Sequence, residues 1–380
     1  MADGQQQTQD TPLQRTPLYE MHVAAGAKMV PFAGYSMPVQ FAQGIIKEHL
    51  HTRHSASLFD VSHMGQVELR GADVASALEA VLPVDIQGLP LRQLRYGLLT
   101  DEAGGVLDDL MLTRWSDSHC SLVVNADCKV ADVAYLRSRL PAQIDISLLP
   151  DCALLALQGP AARQALAQLL PAAAELHFMR AMSAQLAGFD CVISCSGYTG
   201  EDGFEISVAA SDAAALAAQL LALDGVAPAG LGSRDSLRLE AGLCLYGHDL
   251  STVTTPVEAG LSWSISSARR TGGERAGGFP GAAVILPQLI NGACRRRVGL
   301  AVEGRGPVRE GAQLLGLSDE PVGRVTSGGF APTLDAPVAM GYVLSEQAVP
   351  GNRLQAVVRG RPRQVTVMKL PFVKQRYYRG

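Results

Sequence analysis

Several kinds of chemistry are missing from this chain. No run of about 18 apolar residues occurs, so no helix of membrane-spanning length is expected. The seven cysteines, at 120, 128, 152, 191, 195, 244 and 294, include no CxxC pair, which argues against a zinc ribbon and a disulfide framework. Cys191 and Cys195 sit four apart in a β-like run, as buried small hydrophobes do. There is no G-x-S-x-G elbow and no Walker loop. Gly230 and Gly232 lack the third glycine and the following acid of a dinucleotide fingerprint. His49, His51 and His54 in "EHLHTRH" lack the i,i+4 spacing of a helical zinc site. Aromatic residues make up 5% of the chain and interleave with no basic stripe, so no nucleic-acid surface is expected. The first twenty residues are polar, carry acids and contain little arginine, unlike a secretory signal or a mitochondrial presequence. Together with the unpaired cysteines they point to a reducing, cytoplasmic compartment, with the fold beginning near Thr16.

What remains is globular material: 380 residues, 47% apolar, enough for two or three domains. The net charge of -4 hides an asymmetry. After residue 260 there are 17 Lys and Arg against 7 acids, and before it 15 against 29. The basic third is read either as plain solubility or as a surface for an acidic partner or ligand tail.

Hydrophobic spacing predicts a helix through "VQFAQGIIKEHLHTRHSA", a strand around Val67 and Leu69, and a helix over "DVASALEAVLP" ended by Pro83. "RYGLLT" and "VLDDLMLTR" read as strands joined by the turn "DEAGG", and "HCSLVVN" as a strand running into the helix "DCKVADVAYLRSRL". A second strand-and-helix passage starts near 146, with Ser233 as the expected N-cap of a helix ending near Gly242. The Gly- and Arg-rich stretch 268–283 marks a boundary or mobile loop. Beyond Arg295, short β runs between Gly, Pro and Asp turns suggest a small all-β barrel or roll.

Three stretches could carry chemistry. In "DEAGGVLDDLMLT", Asp108 and Asp109 point to opposite faces of a strand and cannot share one environment. Either one faces water and the other braces a loop, or one is a carboxylate held at a pocket wall for acid–base or charge-stabilising work. In "GYTGEDGFEISV", Phe204, Ile206 and Val208 form a buried face, so Glu205 lies on the other face, solvated or gripping a ligand. In "GSRDSLRLEAG", Arg234 occupies a first helical turn, where the macrodipole favours acids; it serves either a surface ion pair or a ligand.

In order along the chain, "TPLYEMHVAAGAKMVPFAGYSMPVQF", "LFDVSHMGQVELRG", "GGVLDDLMLTR", "VVNA", "GYTGEDGFEISV", "GLGSRDSLRLEAGLCLYGHDL", "TPVEAGLSW", "GRVTSGGFAPTL" and "LPFV" follow one pattern from about Thr16 to Tyr378. The sequence resembles the glycine cleavage T-protein family of aminomethyltransferases. It departs from the common pattern in the Gly-rich "RRTGGERAGGFPGAAVI" and in "LPFV", where a Met-Pro-Phe is usual. The resemblance implies an α+β fold of three domains in a cloverleaf around a folate pocket. They are a discontinuous α+β folate-binding domain (16–54 and 146–267), an inserted α+β domain (55–145) and a C-terminal β-barrel (284–380). It implies transfer of a one-carbon unit from the aminomethyl-lipoyl arm of a lipoylated H-protein to tetrahydrofolate, releasing ammonia, with no metal and no membrane or nucleic-acid partner.

Within that resemblance the important acid is the first of the pair, Asp108, and Asp109 is structural. Glu205 and Arg234 contact folate, Tyr377 contacts substrate, and Asn125, Tyr198 and Met64 line the pocket. A folate-dependent demethylase on the same scaffold would keep the same glutamate and arginine. A non-catalytic folate-binding protein of iron–sulfur assembly would carry a Lys-Gly-Cys-Tyr type motif, which is absent here.

Overall fold

A computed structural model describes residues 12–380, so the polar tail expected before the fold lies mostly outside the described residues. Three large β bodies organise the described residues, beside a small three-stranded sheet of Gln14–Arg15, Lys28–Phe32 and Tyr35–Gln40. The first is a six-stranded sheet in the order Ala181–Leu186, Phe189–Ser194, Gly203–Ala209, Cys152–Gln158, Ala56–Asp60 and Val226–Pro228. All its pairings are antiparallel except the last, which is parallel. Phe204, Ile206 and Val208 face the helices Ala162–Leu169 and Ala213–Leu221, packing with Leu166, Leu216 and Leu220 as the alternation requires. Glu205 and Ser207 consequently occupy the other face.

The second body is a five-stranded antiparallel sheet in the order Gln93–Thr100, Val106–Ser116, His119–Val124, Gly65–Arg70 and Asp145–Leu148. Leu99, Leu110, Leu112 and Leu122 on one face pack with Val74 and Leu78 and with Val133 and Leu136 of the helix Lys129–Arg139. The third is a closed barrel of six strands within 295–368, filled by Leu300, Leu314, Val325, Leu354 and Val367. The mixed α+β class with a C-terminal barrel is the architecture observed.

Several local expectations change. The strand Ala56–Asp60, buried along its whole length, pairs with Cys152–Gln158. It therefore lies in the six-stranded sheet rather than beyond the expected boundary at 54/55. The helix predicted to reach Pro83 covers only Val74–Leu78, after which the Glu79 carboxylate accepts the backbone N–H groups of Ile86 and Gln87. The helix Leu231–Glu240 begins before Ser233, with Gly230 as its N-cap. Ser233 Oγ instead donates to the Gly230 carbonyl, and the buried Glu48 accepts the Gly230 N–H.

The Gly- and Arg-rich stretch is pinned: Arg269 donates to the Glu79 carbonyl at 2.6 Å and Arg275 Nε to the Glu79 carboxylate at 2.9 Å. Arg295 and Arg376 likewise pair with Glu258 and Glu201. Part of the charge asymmetry is thus internal complementarity, with basic residues after 260 neutralising acids before it.

Candidate active site

The geometry of the site starts at the hairpin turn. Leu98 pairs with Asp109, Leu99 with Asp108 and Thr100 with Val106, so Leu107 is an extra residue on its strand. That bulge puts Val106 on the face of Asp109 while Asp108 shares its face with Leu110 and Leu112. Val106 accordingly packs with Leu98, Cys244, Leu250 and Tyr342, where the sheet meets the rest of the molecule. Met111 and Thr113 continue the Asp109 face and line a cavity of about 600 Å³ between the two sheets. The opposite wall carries Ser194, Glu205 and Ser207.

Asp108 is fully buried, 0% exposed, on the hydrophobic side of its sheet. Its assignment as the pocket acid does not fit this geometry, because strand alternation turns it away from the face of Met111 and Thr113 and puts Asp109 on that face. The two acids are nevertheless not in separate environments. Asn125, just past the strand His119–Val124, reaches around the sheet edge. Its Nδ2 lies 2.8 Å from both Asp108 Oδ1 and Asp109 Oδ1, and its backbone N–H donates to Asp108 Oδ2 at 3.1 Å. Asp109 Oδ2 accepts the Tyr96 hydroxyl at 2.9 Å. Burial, reinforced by the negative charge of Asp108, pushes the Asp109 carboxyl up to about 7. Burial also raises Asp108, and burial with the neighbouring Asp108 charge pushes Asp132 up to about 9.

Glu205 is half-buried and accepts the Ser196 hydroxyl at 2.8 Å. Arg234 stacks over the Tyr198 ring at 5.0 Å, and its Nη1 is buried without a hydrogen-bond partner. Burial lowers its proton affinity, and the charge of Glu205 opposes that shift. Among the described ion pairs, Glu205 and Arg234 do not touch each other. A carboxylate acceptor and an unsatisfied guanidinium donor near it suit a ligand bearing both N–H and acceptor groups. Tyr198 is fixed by donating its hydroxyl to the Cys244 carbonyl. Met64 packs beside Val123 against Phe59 and Leu237.

Tyr377 stands apart from this group. It stacks on Phe178 with ring centres 4.0 Å apart and no described hydrogen bond to Asp109, Glu205 or Arg234. Phe178 lines a second, more open depression of about 710 Å³ with Arg92, Arg180 and Arg379.

Sequence reasoning missed Tyr96, Asp132 and His63. Tyr96 was legible in principle: it is two residues from Leu98, the cross-strand partner of Asp109, and so shares its face. Asp132 reads as a first-turn helix acid, and only the packing of that helix brings it to Asp108. His63 is buried, has an unpartnered Nδ1 and is held neutral by desolvation near Arg234 and Lys129. His49 is no metal ligand here: its ring bonds Ser236 Oγ at 2.7 Å and Glu240 at 3.1 Å. Among the described residues no cluster of three His, Cys, Asp or Glu is arranged to hold a metal.

Comparison with known proteins places this arrangement. The family model described as "GCVT N-terminal domain" matches residues 18–269, and "Glycine cleavage T-protein C-terminal barrel domain" matches 295–374. The chain is 45% identical over 374 residues to the human mitochondrial aminomethyltransferase, spanning 96% of this chain and 91% of that protein. It is 42% identical over 383 residues to the Dictyostelium discoideum mitochondrial enzyme, spanning 96% and 94%. The crystal structure of the glycine cleavage system aminomethyltransferase T from Bartonella henselae superposes with a TM-score of 0.92 at 44% identity, covering 97% of this chain and all of that one. The expectation of a cytoplasmic compartment is overturned by these relatives, whose curated names place them in mitochondria. The composition of the first twenty residues was a poor guide to compartment. With family models covering most of its length and relatives above 40% identity from end to end, the chain belongs to the glycine cleavage T-protein family of aminomethyltransferases.

Proposed function

We propose that this protein moves the one-carbon unit of an aminomethyl group, carried on the lipoyl arm of a lipoylated H-protein, to tetrahydrofolate. The carrier's S–CH2 and CH2–N bonds break, and N5–CH2 and CH2–N10 bonds form on the folate. Of the two protons lost from the folate nitrogens, one leaves with ammonia and one returns to the dihydrolipoyl sulfur. The products are 5,10-methylenetetrahydrofolate, ammonia and the reduced carrier. The relatives' shared name, aminomethyltransferase, supports the reaction class.

The observation that carries the reading is an acid, Asp109, on the strand face whose Met111 and Thr113 line the cavity that Glu205 also lines, together with the unsatisfied guanidinium of Arg234. In this assignment Glu205 accepts the N–H edge of the pterin and Arg234 donates to it, with Tyr198 and Met64 lining the ring and Tyr377 at a more distant part of the substrate. Asp109 replaces Asp108 as the reacting carboxylate. Expulsion of ammonia builds positive charge at the transferring carbon, and a fixed carboxylate beside it lowers that barrier. A proton affinity near neutrality also suits Asp109 to take the proton leaving the attacking nitrogen.

Reconstitution with lipoylated, aminomethyl-loaded H-protein and tetrahydrofolate tests the reading. Methylenetetrahydrofolate and ammonia are expected to form in equal amounts. Folate turnover from a methylated amine or sulfur donor without ammonia release would instead indicate the demethylase.

A further inference from the structure

Asp108 poses a problem once it is removed from the pocket. A carboxylate at 0% exposure, on a face of leucines, with no cation against it, is a costly residue to keep. Its described donor is Asn125, through both backbone N–H and side-chain amide, with Asp132 and Cys128 beside it. The Asn125 amide has only two hydrogens for three acceptors: Asp108 Oδ1 at 2.8 Å, Asp109 Oδ1 at 2.8 Å and the Asp109 carbonyl at 3.1 Å. One hydrogen is taken by Asp108, which leaves the other directed at Asp109.

We propose that Asp108 is a positioning residue for Asp109: it clamps Asn125 with both carboxylate oxygens, so that the Asn125 amide must present N–H, never its carbonyl, to the reacting acid. This inference rests on Asp109 being that acid. An asparagine at 108 could accept only one of the two Asn125 N–H groups and would set its own N–H against the other. The Asn125 amide would then lose its fixed orientation and Asp109 would be held by Tyr96 alone. Asp108 acts a second way, through charge. The titratable groups around Asp109 include Tyr96, Asp108, Asp132, Tyr198, Cys244 and Tyr246, with the guanidiniums of Arg238 and Arg297 acting on Tyr198, Cys244 and Tyr96. The charge that acts most strongly on Asp109 is that of Asp108, and it favours a proton on Asp109.

The test is the full reconstituted reaction from pH 5 to 9, with folate binding measured separately by fluorescence titration, for Asp108→Asn, Asp109→Asn and Asn125→Ala. Asp108→Asn is expected to bind folate within about twofold of wild type and to lose about ten- to a hundredfold in plateau turnover. Its acidic limb should move to lower pH by about one unit, because the repelling charge is gone. Asp109→Asn should lose more turnover and the acidic limb itself. Asn125→Ala should copy the plateau loss without the displaced limb, and it keeps the clamp testable if Asp108→Asn does not fold. A folded Asp108→Asn with wild-type plateau and limb, or Asn125→Ala with turnover within twofold of wild type, overturns the proposal. An active Asp109→Asn beside a dead Asp108→Asn overturns instead the reading of Asp109 as the reacting acid, and this inference with it.

Discussion

Replacing Asp109 by asparagine should disable the enzyme and stabilise the protein, and the stabilisation should depend on pH in a calculable way. The carboxyl stands at about 7 in the folded protein, against an ordinary value of 3.8. Below pH 4 it is protonated in both folded and unfolded chains and has no effect. As pH rises the unfolded chain ionises first while the folded protein keeps its proton, so stability falls until the folded group also ionises near pH 7. Three pK units correspond to about 4 kcal/mol lost by pH 8. An asparagine there carries no such penalty, but it meets two donors, Tyr96 and the Asn125 amide, with only one acceptor oxygen. That mismatch costs about 1–2 kcal/mol at any pH. The variant should therefore be less stable than wild type by about 1 kcal/mol at pH 4 and more stable by about 2 kcal/mol at pH 8. Urea denaturation at the two pH values, compared at equal m-value, measures both numbers. An Asp109→Asn protein destabilised equally at pH 4 and pH 8 would refute the buried, proton-holding environment on which the argument depends.

Other substitutions probe the frame around the site. Glu205→Gln and Arg234→Lys should each weaken folate binding about tenfold or more, since lysine cannot reproduce a planar fork; calorimetric titration checks this, and unchanged affinity would remove these residues from the ligand. Arg53 bonds Glu201 at 2.6 Å and Glu240 at 2.9 Å, and both acids are 0% exposed. Arg53→Met leaves Glu201 with Arg376 alone and Glu240 with only His49 and Thr333, and should cost about 3 kcal/mol, read as a lowered thermal midpoint. A Cβ on Gly105 would fall 1.9 Å from the Thr252 carbonyl oxygen. Gly105→Ala should therefore displace the hairpin tip from its dock at Ser251 and Thr254, lowering turnover and stability together; a variant indistinguishable from wild type in both would contradict that close approach.

Much of the frame was legible from residue order. The "DEAGG" hairpin, the buried face of Phe204, Ile206 and Val208 with Glu205 opposite, and the run of short strands after Arg295 all stand as alternation and turn chemistry implied. The continuously buried strand Ala56–Asp60 was not, because a strand covered on both faces has no period-two signature. The end of the helix at Leu78 was not either, because Glu79 is committed to partners about 190 residues away, Arg269 and Arg275.

The paired aspartates separate the two kinds of knowledge. Local sequence determined that Asp108 and Asp109 leave their strand on opposite faces, since that follows from backbone geometry alone. Which face meets a cavity was decided by packing: helices cover the side of Leu110 and Leu112, and a second sheet faces the side of Met111 and Thr113. Family resemblance pointed to the first acid of the pair, whereas the strand face shared with Met111 and Thr113 favours the second. Burial and the distance between charges set the proton affinity of each acid, and both quantities exist only once the chain has closed on itself.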